Sequence, residues 1–217
     1  MRNLRIVVAD DHPLMRRGIC DLLESEPGWK VVAEAGNGRE AVEAMTGSKP
    51  DVLVIDLAMP ELNGLTATRE ILRALPKTEV VLLTMHNTEQ VIREVLESGA
   101  RGFVLKSDAG QNLVAAVKAV AAGKPFFTPN VADVVLKGYL RSNSKSGSRA
   151  NLPVLTTREL QVMQLLAEGK ANKAVANAMQ ISVKTVEAHR SNINRKLSIK
   201  TTSELVRYAV RNGIVDA

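Results

Sequence analysis

The stretch Asp51-Val-Leu-Val-Ile-Asp56-Leu-Ala-Met-Pro60 decides the fold of this chain. Its apolar residues, Val52 to Ile55, follow one another without alternation, which is typical of a strand covered by helices on both faces. Pro60 has no backbone N–H and prevents the strand from continuing. Asp56 therefore stands where a buried strand gives way to a loop, a usual position for chemistry in an open α/β sheet. An isolated aspartate there more often caps a turn, so its role depends on the rest of the chain.

Length and composition allow one large domain or two modest ones, since the chain has 217 residues with 45% apolar and 24% charged side chains. No apolar run approaches the roughly 20 residues that span a bilayer, so no membrane association is expected. The first residues show no signal-peptide pattern. Cys20 is the single cysteine and cannot form an internal disulfide, which fits a cytoplasmic location.

The charge is divided unevenly along the chain. Residues 1–124 carry 15 Lys and Arg against 17 Asp and Glu, whereas residues 125–217 carry 14 against 6. A mildly acidic front and a strongly basic back suggest two domains with different partners, and nucleic acid is a candidate for the basic one. On charge alone, a solvated surface explains the basic part equally well.

The first 124 residues alternate five times between a strand-like and a helical pattern. The first predicted helix opens at His12-Pro13, and Leu14 and Ile19 belong to its apolar face; the last strand is predicted as Gly102 to Lys106. Strict alternation predicts a doubly wound α/β fold with a parallel five-stranded sheet and helices on both faces. The expected strand order is 2-1-3-4-5, with strands 1 and 3 adjacent at the ligand-binding switch point.

Polar residues stand at four of the five strand ends, namely Asp10, Asp11, Asp56, Thr84 and Lys106. Parallel strands bring these ends to one edge. Clustered carboxylates repel one another unless a hard divalent cation joins them, and Mg²⁺ suits carboxylates combined with water and phosphate. A carboxylate beside Mg²⁺ can attack phosphorus to form an aspartyl phosphate, and Lys106 would neutralise the transferring oxygens. Thr84 offers its hydroxyl to one of those oxygens.

These residues, with Met59-Pro60 after Asp56, resemble the receiver domain of two-component response regulators over residues 1 to about 122. The resemblance implies that Asp56 is the phosphoacceptor. It also implies Asp11 as a direct Mg²⁺ ligand, Asp10 as a ligand partly through water, and the backbone carbonyl of Ala58 as the remaining protein ligand.

The same resemblance assigns a switching role to two further residues. Thr84 would turn towards the phosphoryl group, and Phe103 matches the aromatic switch position, although a simply buried strand aromatic is an equally good interpretation. Ala58 has no polar side chain to position an attacking water. Met85, directly after Thr84, is bulkier than the small residue that receiver domains often have at this position. We therefore hypothesise that the phosphoryl group is lost slowly.

Residues 125–151 are interpreted as a linker between the receiver at 1–124 and a second domain at 152–217. Pro125-Phe-Phe-Thr-Pro129 is expected to be extended. A helix is predicted at Asn130–Leu140, followed by a flexible tether at 141–149 that is rich in serine.

The second domain is predicted to be all-α with four helices. Thr156 and Glu159 form a capping box at the start of the first helix. A short second helix, the turn Gln180-Ile181-Ser182 and a capped third helix at Val183–Leu197 fit the helix-turn-helix pattern. In the third helix, Val183 is placed on the inward face together with Val186, Ile193 and Leu197.

This domain resembles the LuxR-type DNA-binding domain from Leu155 to about Val210. The motifs are Leu155-Thr-x-Arg158-Glu159, Gly169-x-x-Asn172-Lys173, Ile181-Ser182, Thr185-Val186-x-x-His189 and Ile193-x-Arg195-Lys196-Leu197. The resemblance makes the third helix the reader of the major groove. Its expected DNA-binding residues are Lys184, Thr185, Glu187, Ala188, Arg190, Ser191, Asn194 and Lys196.

The two resemblances together imply a NarL/FixJ-type response regulator, in which phosphorylation of Asp56 by a sensor histidine kinase or a small phosphodonor controls DNA binding. A homodimer reading two half-sites is expected. The chain would not be an enzyme apart from catalysing its own phosphorylation and dephosphorylation. Two alternatives are constitutive DNA binding with a receiver that only docks partners, and an aspartyl-phosphate phosphatase. The phosphatase needs an acid two residues after its nucleophile, where this chain has Ala58.

Overall fold

The computed structural model describes residues 3–128, residue 131 and residues 155–215. The helix predicted at Asn130–Leu140 and the tether at 141–149 lie outside this described part, except for the single residue Val131.

The first domain is built on a parallel sheet of six strands in the order β2-β1-β3-β4-β5-β6. The strands are β1 Leu4–Ala9, β2 Trp29–Ala35, β3 Val52–Asp56, β4 Glu79–Thr84, β5 Gly102–Leu105 and β6 Phe126–Phe127. The predicted order 2-1-3-4-5 is confirmed. The sixth strand pairs with β5 and extends the sheet into a segment that the sequence predicted only as extended.

Helices cover both faces of this sheet. They are α1 Pro13–Glu24, α2 Gly38–Ser48, α3 Gly64–Ala74, α4 Glu89–Ser98 and α5 Ala109–Ala121. Helices α1 and α5 bury their apolar residues with one face of the strands, and α2, α3 and α4 pack on the other. The doubly wound α/β fold is therefore confirmed, and Cys20 is a buried packing residue of α1.

The second domain consists of four helices in its described part. They are α6 Thr157–Ala167, α7 Asn172–Met179, α8 Val183–Leu197 and α9 Thr202–Arg211. The capping box of Thr156 and Glu159 is present at the start of α6. Gln180 adopts a left-handed φ of 55° in the turn, and the Ser182 hydroxyl then caps α8 by accepting the Thr185 N–H at 3.1 Å. The predicted helix-turn-helix is thus confirmed. None of the described helices combines the length and apolar content that crossing a bilayer requires.

Three local predictions are wrong. Leu14 is 91% exposed because it lies in the first turn of α1, at the carboxyl edge of the sheet, before the helix reaches the apolar core. Val183 is 39% exposed because it is the first residue of α8, whereas Val186 and Ile193 further along are fully buried. The fifth strand ends at Leu105, and Lys106 begins a single turn of 3₁₀ helix.

The two domains contact each other along α3, α4, α6 and α9. One continuous apolar cluster includes Leu57 and Val95 of the first domain together with Leu160 and Ala209 of the second. The chain therefore buries apolar surface between its domains in this arrangement.

Candidate phosphorylation site and nucleic-acid interface

The predicted strand-end residues are brought together by the pairing of neighbouring strands. Ala9 of β1 lies beside Ile55 of β3, so that Asp10 and Asp56 follow at adjacent positions. On the other side of β3, Asp56 itself pairs with Leu83 of β4, and Thr84 ends that strand. Lys106 comes directly after β5. One edge of the sheet thus carries two buried carboxylates, a buried hydroxyl and an ammonium.

Lys106 binds both buried carboxylates of this edge. Its Nζ lies 2.7 Å from Asp56 Oδ2 and 3.0 Å from Asp10 Oδ2. Burial lowers the pKa of the Lys106 ammonium, but the charges and hydrogen bonds of Asp56 and Asp10 outweigh it and raise the pKa above its ordinary value. The ammonium therefore stays charged and holds the two carboxylates together.

Asp11 and His12 complete the cluster of possible ligands. Asp10, Asp11, His12 and Asp56 each offer one ligand atom, and these four atoms lie within 4.8 Å of one another. The His12 N–H donates to Asp10 Oδ1 at 2.8 Å, and His12 Nδ1 lies 2.8 Å from Asp11 Oδ1. The sequence pattern predicted His12 only as the start of a helix. Its position directly after two acids at a strand end was the signal that could have identified it.

The composition of this cluster fits a divalent cation. Three carboxylates, from Asp10, Asp11 and Asp56, face one ammonium, so the pocket carries excess negative charge even after Lys106 is counted. Oxygen donors are the ligands that Mg²⁺ prefers. The acid pocket, defined as Asp10, Asp11, Asp56 and Lys106, is thus suited to hold such an ion.

A cavity of about 370 Å³ opens above Asp56 and is lined by Ala58, Thr84, Met85 and Leu14 among others. Thr84 is buried, and its Oγ1 accepts the His86 N–H at 3.0 Å while the hydroxyl proton stays available for donation. Met85 is 66% exposed, so that it borders the cavity without sealing it.

Phe103 is fully buried in β5, opposite Leu82 of β4. Its surroundings are those of an apolar core residue, and the ring has no exposed part. In this arrangement the aromatic ring packs inwards, away from solvent.

In the second domain, α8 presents most of its predicted DNA-binding residues to solvent. Lys184, Thr185, Glu187, Ala188 and Ser191 are exposed, and docking of the two domains does not cover them. Charged and hydrogen-bonding side chains on one helical face can contact phosphates and base edges in the major groove. This exposed face of α8 is the candidate nucleic-acid interface.

The remaining predicted DNA-binding residues are partly buried, and two have intramolecular partners. Arg190 donates to the Thr202 hydroxyl at 3.0 Å, and Lys196 Nζ lies 2.6 Å from Glu159 Oε2. Burial alone would raise the pKa of Glu159, but hydrogen bonds from Lys196 and from Thr156 lower it overall. Lys196 thus joins α8 to the capping box of α6. Asn194 is half-buried on the same helix.

Two family models together match most of the chain. The first is described as the response regulator receiver domain and matches residues 6–118, and the second is described as bacterial regulatory proteins of the luxR family and matches residues 153–209. These matches coincide with the acid pocket and the exposed face of α8.

Curated relatives are similar over nearly the full length. The oxygen regulatory protein NreC of Staphylococcus carnosus is 36% identical over 216 residues, which covers 98% of this chain and 100% of the relative. The transcriptional regulatory protein DegU of Brevibacillus brevis is 36% identical over 224 residues, covering 98% and 95%.

Solved structures give the same assignment. The Salmonella typhimurium RcsB response regulator, described for its conformational dynamism in DNA interaction, superposes with a TM-score of 0.72 at 27% identity over 96% of this chain and 97% of RcsB. RcsB bound to a promoter with phosphomimetic BeF₃⁻ gives the same TM-score and identity over 95% and 98%. The chain therefore belongs to the two-component response regulators of the NarL/FixJ type, transcription regulators that join a receiver domain to a LuxR-type DNA-binding domain.

Proposed function

We propose that this chain accepts a phosphoryl group on Asp56 and thereby changes how it binds DNA. The observation that carries the proposal is the geometry of the acid pocket, in which Lys106 Nζ lies within 3.0 Å of both Asp10 and Asp56 and the ligand atoms of Asp10, Asp11 and Asp56 gather within 4.8 Å. The phosphoryl donor is a sensor histidine kinase or a small phosphodonor. We assign residues 1–124 to the receiver, 125–151 to a linker whose strand β6 joins the receiver sheet, and 152–217 to the DNA-binding domain.

The pocket residues divide three tasks in phosphoryl transfer: metal binding, attack on phosphorus and neutralisation of charge. Asp10, Asp11, Asp56 and the Ala58 backbone carbonyl would hold Mg²⁺, which would neutralise charge on the phosphoryl oxygens. An Asp56 oxygen forms the new bond to phosphorus while the bond from phosphorus to the donor breaks, and the leaving group keeps the electron pair. Lys106 is already charged and buried at Asp56, so it can neutralise a phosphoryl oxygen there.

Thr84 and Phe103 relay the change to the rest of the domain. The buried Thr84 hydroxyl accepts the His86 N–H, and its own proton is directed to a phosphoryl oxygen once Asp56 is modified. Movement of Thr84 towards Asp56 would open space near β4 and β5, where Phe103 is packed. The Phe103 ring would move into that space and so carry the change from the acid pocket to β5.

DNA binding rests on α8, through its exposed face and the partly buried polar residues beside that face. We assign Lys184, Thr185, Arg190, Ser191, Asn194 and Lys196 to phosphate and groove contacts, and Glu187 and Ala188 to base edges. A groove of about 550 Å³ beside α8 is lined by Lys170, Lys173 and Arg190, which adds positive charge next to that face. Two chains binding as a homodimer would read two half-sites. RcsB, a similar protein, has been described as dimers bound to DNA.

The experiment that tests phosphorylation uses a small phosphodonor, acetyl phosphate, with Mg²⁺. We expect intact mass measurement to show one added phosphoryl group on the wild type and none on Asp56→Ala. A matched control is Asp108→Ala, because Asp108 lies at the same sheet edge but outside the acid pocket. Modification of Asp56→Ala at the wild-type rate would contradict the proposal, as would failure of the wild type to be modified.

Slow loss of the phosphoryl group is a second part of the proposal. Ala58 lines the cavity with a methyl group where a polar side chain could position water, and Met85 borders the same cavity. We expect the modified protein to persist for minutes or longer after the donor is removed. Ala58→Asn should shorten that lifetime, and decay of the wild type within seconds would contradict this part alone.

A further inference from the structure

One side chain of the DNA-binding domain holds the loop that follows Asp56. Gln164 of α6 accepts the backbone N–H of Asn63 with Oε1 at 2.9 Å and donates to the backbone carbonyl of Met59 with Nε2 at 2.7 Å. Gln164 is fully buried. Because both hydrogen bonds go to backbone atoms, a single amide closes the segment from Met59 to Asn63 at its two ends.

This loop is rigidly connected to Asp56. The Gly64 N–H donates to the Leu57 carbonyl at 2.9 Å, and a Cβ at Gly64 would lie 2.0 Å from the Asp56 carbonyl oxygen. The Asn63 side chain caps α3 by accepting the Thr66 N–H at 2.9 Å. A displacement of the loop therefore moves both the start of α3 and the backbone next to Asp56.

A second contact reaches the other loop that borders the acid pocket. Gly213, just after α9, packs so closely on His86 and Leu57 that a Cβ there would come within 2.6 Å and 2.9 Å of their side-chain atoms. The His86 N–H in turn donates to Thr84 Oγ1. The docked DNA-binding domain thus touches the loops that follow Asp56 at the end of β3 and Thr84 at the end of β4.

We propose that Gln164 is a positioning residue of the receiver, which holds the Met59–Asn63 loop in its unphosphorylated arrangement and thereby slows phosphoryl transfer to Asp56. The proposal rests on the proposed function of Asp56. Under that function, Thr84 turns towards Asp56 during transfer, next to loops that the docked domain contacts. A contact that favours one state opposes the other by the same free energy. The buried amide strengthens this preference, because moving the loop leaves Gln164 Oε1 without the Asn63 N–H, while Nε2 loses the Met59 carbonyl and keeps its hydrogen bond to Glu168 Oε1 at 2.9 Å.

The matched variants for this test are on α6. Gln164→Leu keeps the side-chain size but removes both hydrogen bonds to the loop. Gln161→Leu is the control, because Gln161 lies one turn earlier and its amide contacts the Glu70 side chain at 3.4 Å and not the loop. Full-length proteins are treated with acetyl phosphate and Mg²⁺, and the modified fraction is followed by intact mass.

We expect Gln164→Leu to be phosphorylated at least about fivefold faster than wild type, a factor at the lower end of couplings between sites. Gln161→Leu should stay within about twofold of wild type. Hydrogen exchange at the Asn63 amide supplies a readout specific to the loop, since Gln164 Oε1 accepts that hydrogen. Exchange there should accelerate in Gln164→Leu and not in Gln161→Leu.

Gln164→Met serves as the second variant if Gln164→Leu does not fold, because methionine keeps the length of glutamine and also lacks the amide that bonds Met59 and Asn63. Phosphorylation of Gln164→Met should again be faster than that of wild type. A rate for folded Gln164→Leu equal to or slower than wild type would overturn the proposal while leaving phosphorylation of Asp56 in place. If Gln164→Leu is unfolded, a wild-type rate for Gln164→Met would do the same. Absence of phosphorylation in the wild type would remove both proposals.

Discussion

The acid pocket and the exposed face of α8 use charge in opposite ways. The pocket collects residues from strand ends that are far apart in the sequence, buries most of them and sets charged atoms within 3.0 Å of one another. The face of α8 comes from a single 15-residue helix and leaves most of its polar residues in solvent. Buried charges interact strongly, whereas exposed ones are screened. One change in the pocket should therefore disturb the whole site, and one change on α8 should act almost alone.

The largest expected effect comes from removing the buried ammonium. Lys106→Met leaves Asp10 and Asp56 buried without their shared partner, so the free energy of unfolding of the receiver should fall by about 3 kcal/mol at neutral pH without divalent cations. Denaturant unfolding measures it.

Lys118→Met is the matched control for that change. Lys118 also pairs with a carboxylate, Glu26, at 2.7 Å, but the lysine side chain is more than half exposed. Its removal should cost less than about 1 kcal/mol. Equal losses for the two lysine variants would contradict the distinction between buried and exposed charge.

A smaller effect is expected from Glu94 of α4, a buried carboxyl outside the pocket. Burial raises the pKa of Glu94, and the Gln90 hydrogen bond and the Arg69 charge lower it by less. Gln90 also donates to the Tyr208 hydroxyl of α9, whose pKa is raised by burial and by Glu94. The buried acid therefore lies where the two domains meet.

The pH dependence follows from the direction of the Glu94 shift. A carboxyl whose pKa is raised on folding contributes stability below its ordinary pKa, and that contribution is lost as the pH rises through the raised value. Glu94→Gln should therefore be more stable than wild type by about 1 kcal/mol at pH 8 and should lose this advantage near pH 4. Thermal unfolding at both pH values measures it, with exposed Glu97→Gln as the control. A constant difference across that range would contradict this account.

The smallest effect is expected on the exposed helix. Lys184→Ala should weaken binding to all DNA sequences alike and reduce the slope of log affinity against log salt by about one, because one phosphate contact is lost. Fluorescence anisotropy over a range of salt concentrations measures it. Lys77→Ala on the receiver removes the same charge from an exposed position and should leave the slope unchanged. Loss of discrimination between sequences in Lys184→Ala would mean that the residue reads bases.

Much of the fold, the acid pocket and the helix-turn-helix could be predicted from the sequence. Unbroken apolar runs identified the strands, and parallel alternation placed Asp10, Asp56, Thr84 and Lys106 at one edge. The turn after α7 and the cap at Ser182 identified the helix-turn-helix. These features depend on local pattern and on topology, both of which a sequence carries.

Contacts between the domains could not be predicted in the same way. Gln164 lies 105 positions from Met59, and its partners are backbone atoms that have no sequence signature. Burial of Gln164 could have been predicted, because Gln164 lies four residues after Leu160 and therefore on the same side of α6. The prediction that Leu14 is buried was wrong for a related reason, because helical periodicity does not show where a helix extends beyond its sheet.

The most direct test of the account is the affinity for DNA before and after phosphorylation of Asp56. Duplexes selected from a random pool by the acetyl-phosphate-treated protein provide the probe, and anisotropy gives the affinity of wild type and Asp56→Ala in the same buffer. We predict that treatment tightens binding by the wild type about tenfold, within the usual range of allosteric coupling, and leaves Asp56→Ala unchanged. Equal affinity of the wild type before and after verified phosphorylation would contradict control of DNA binding by Asp56 and would favour constitutive binding.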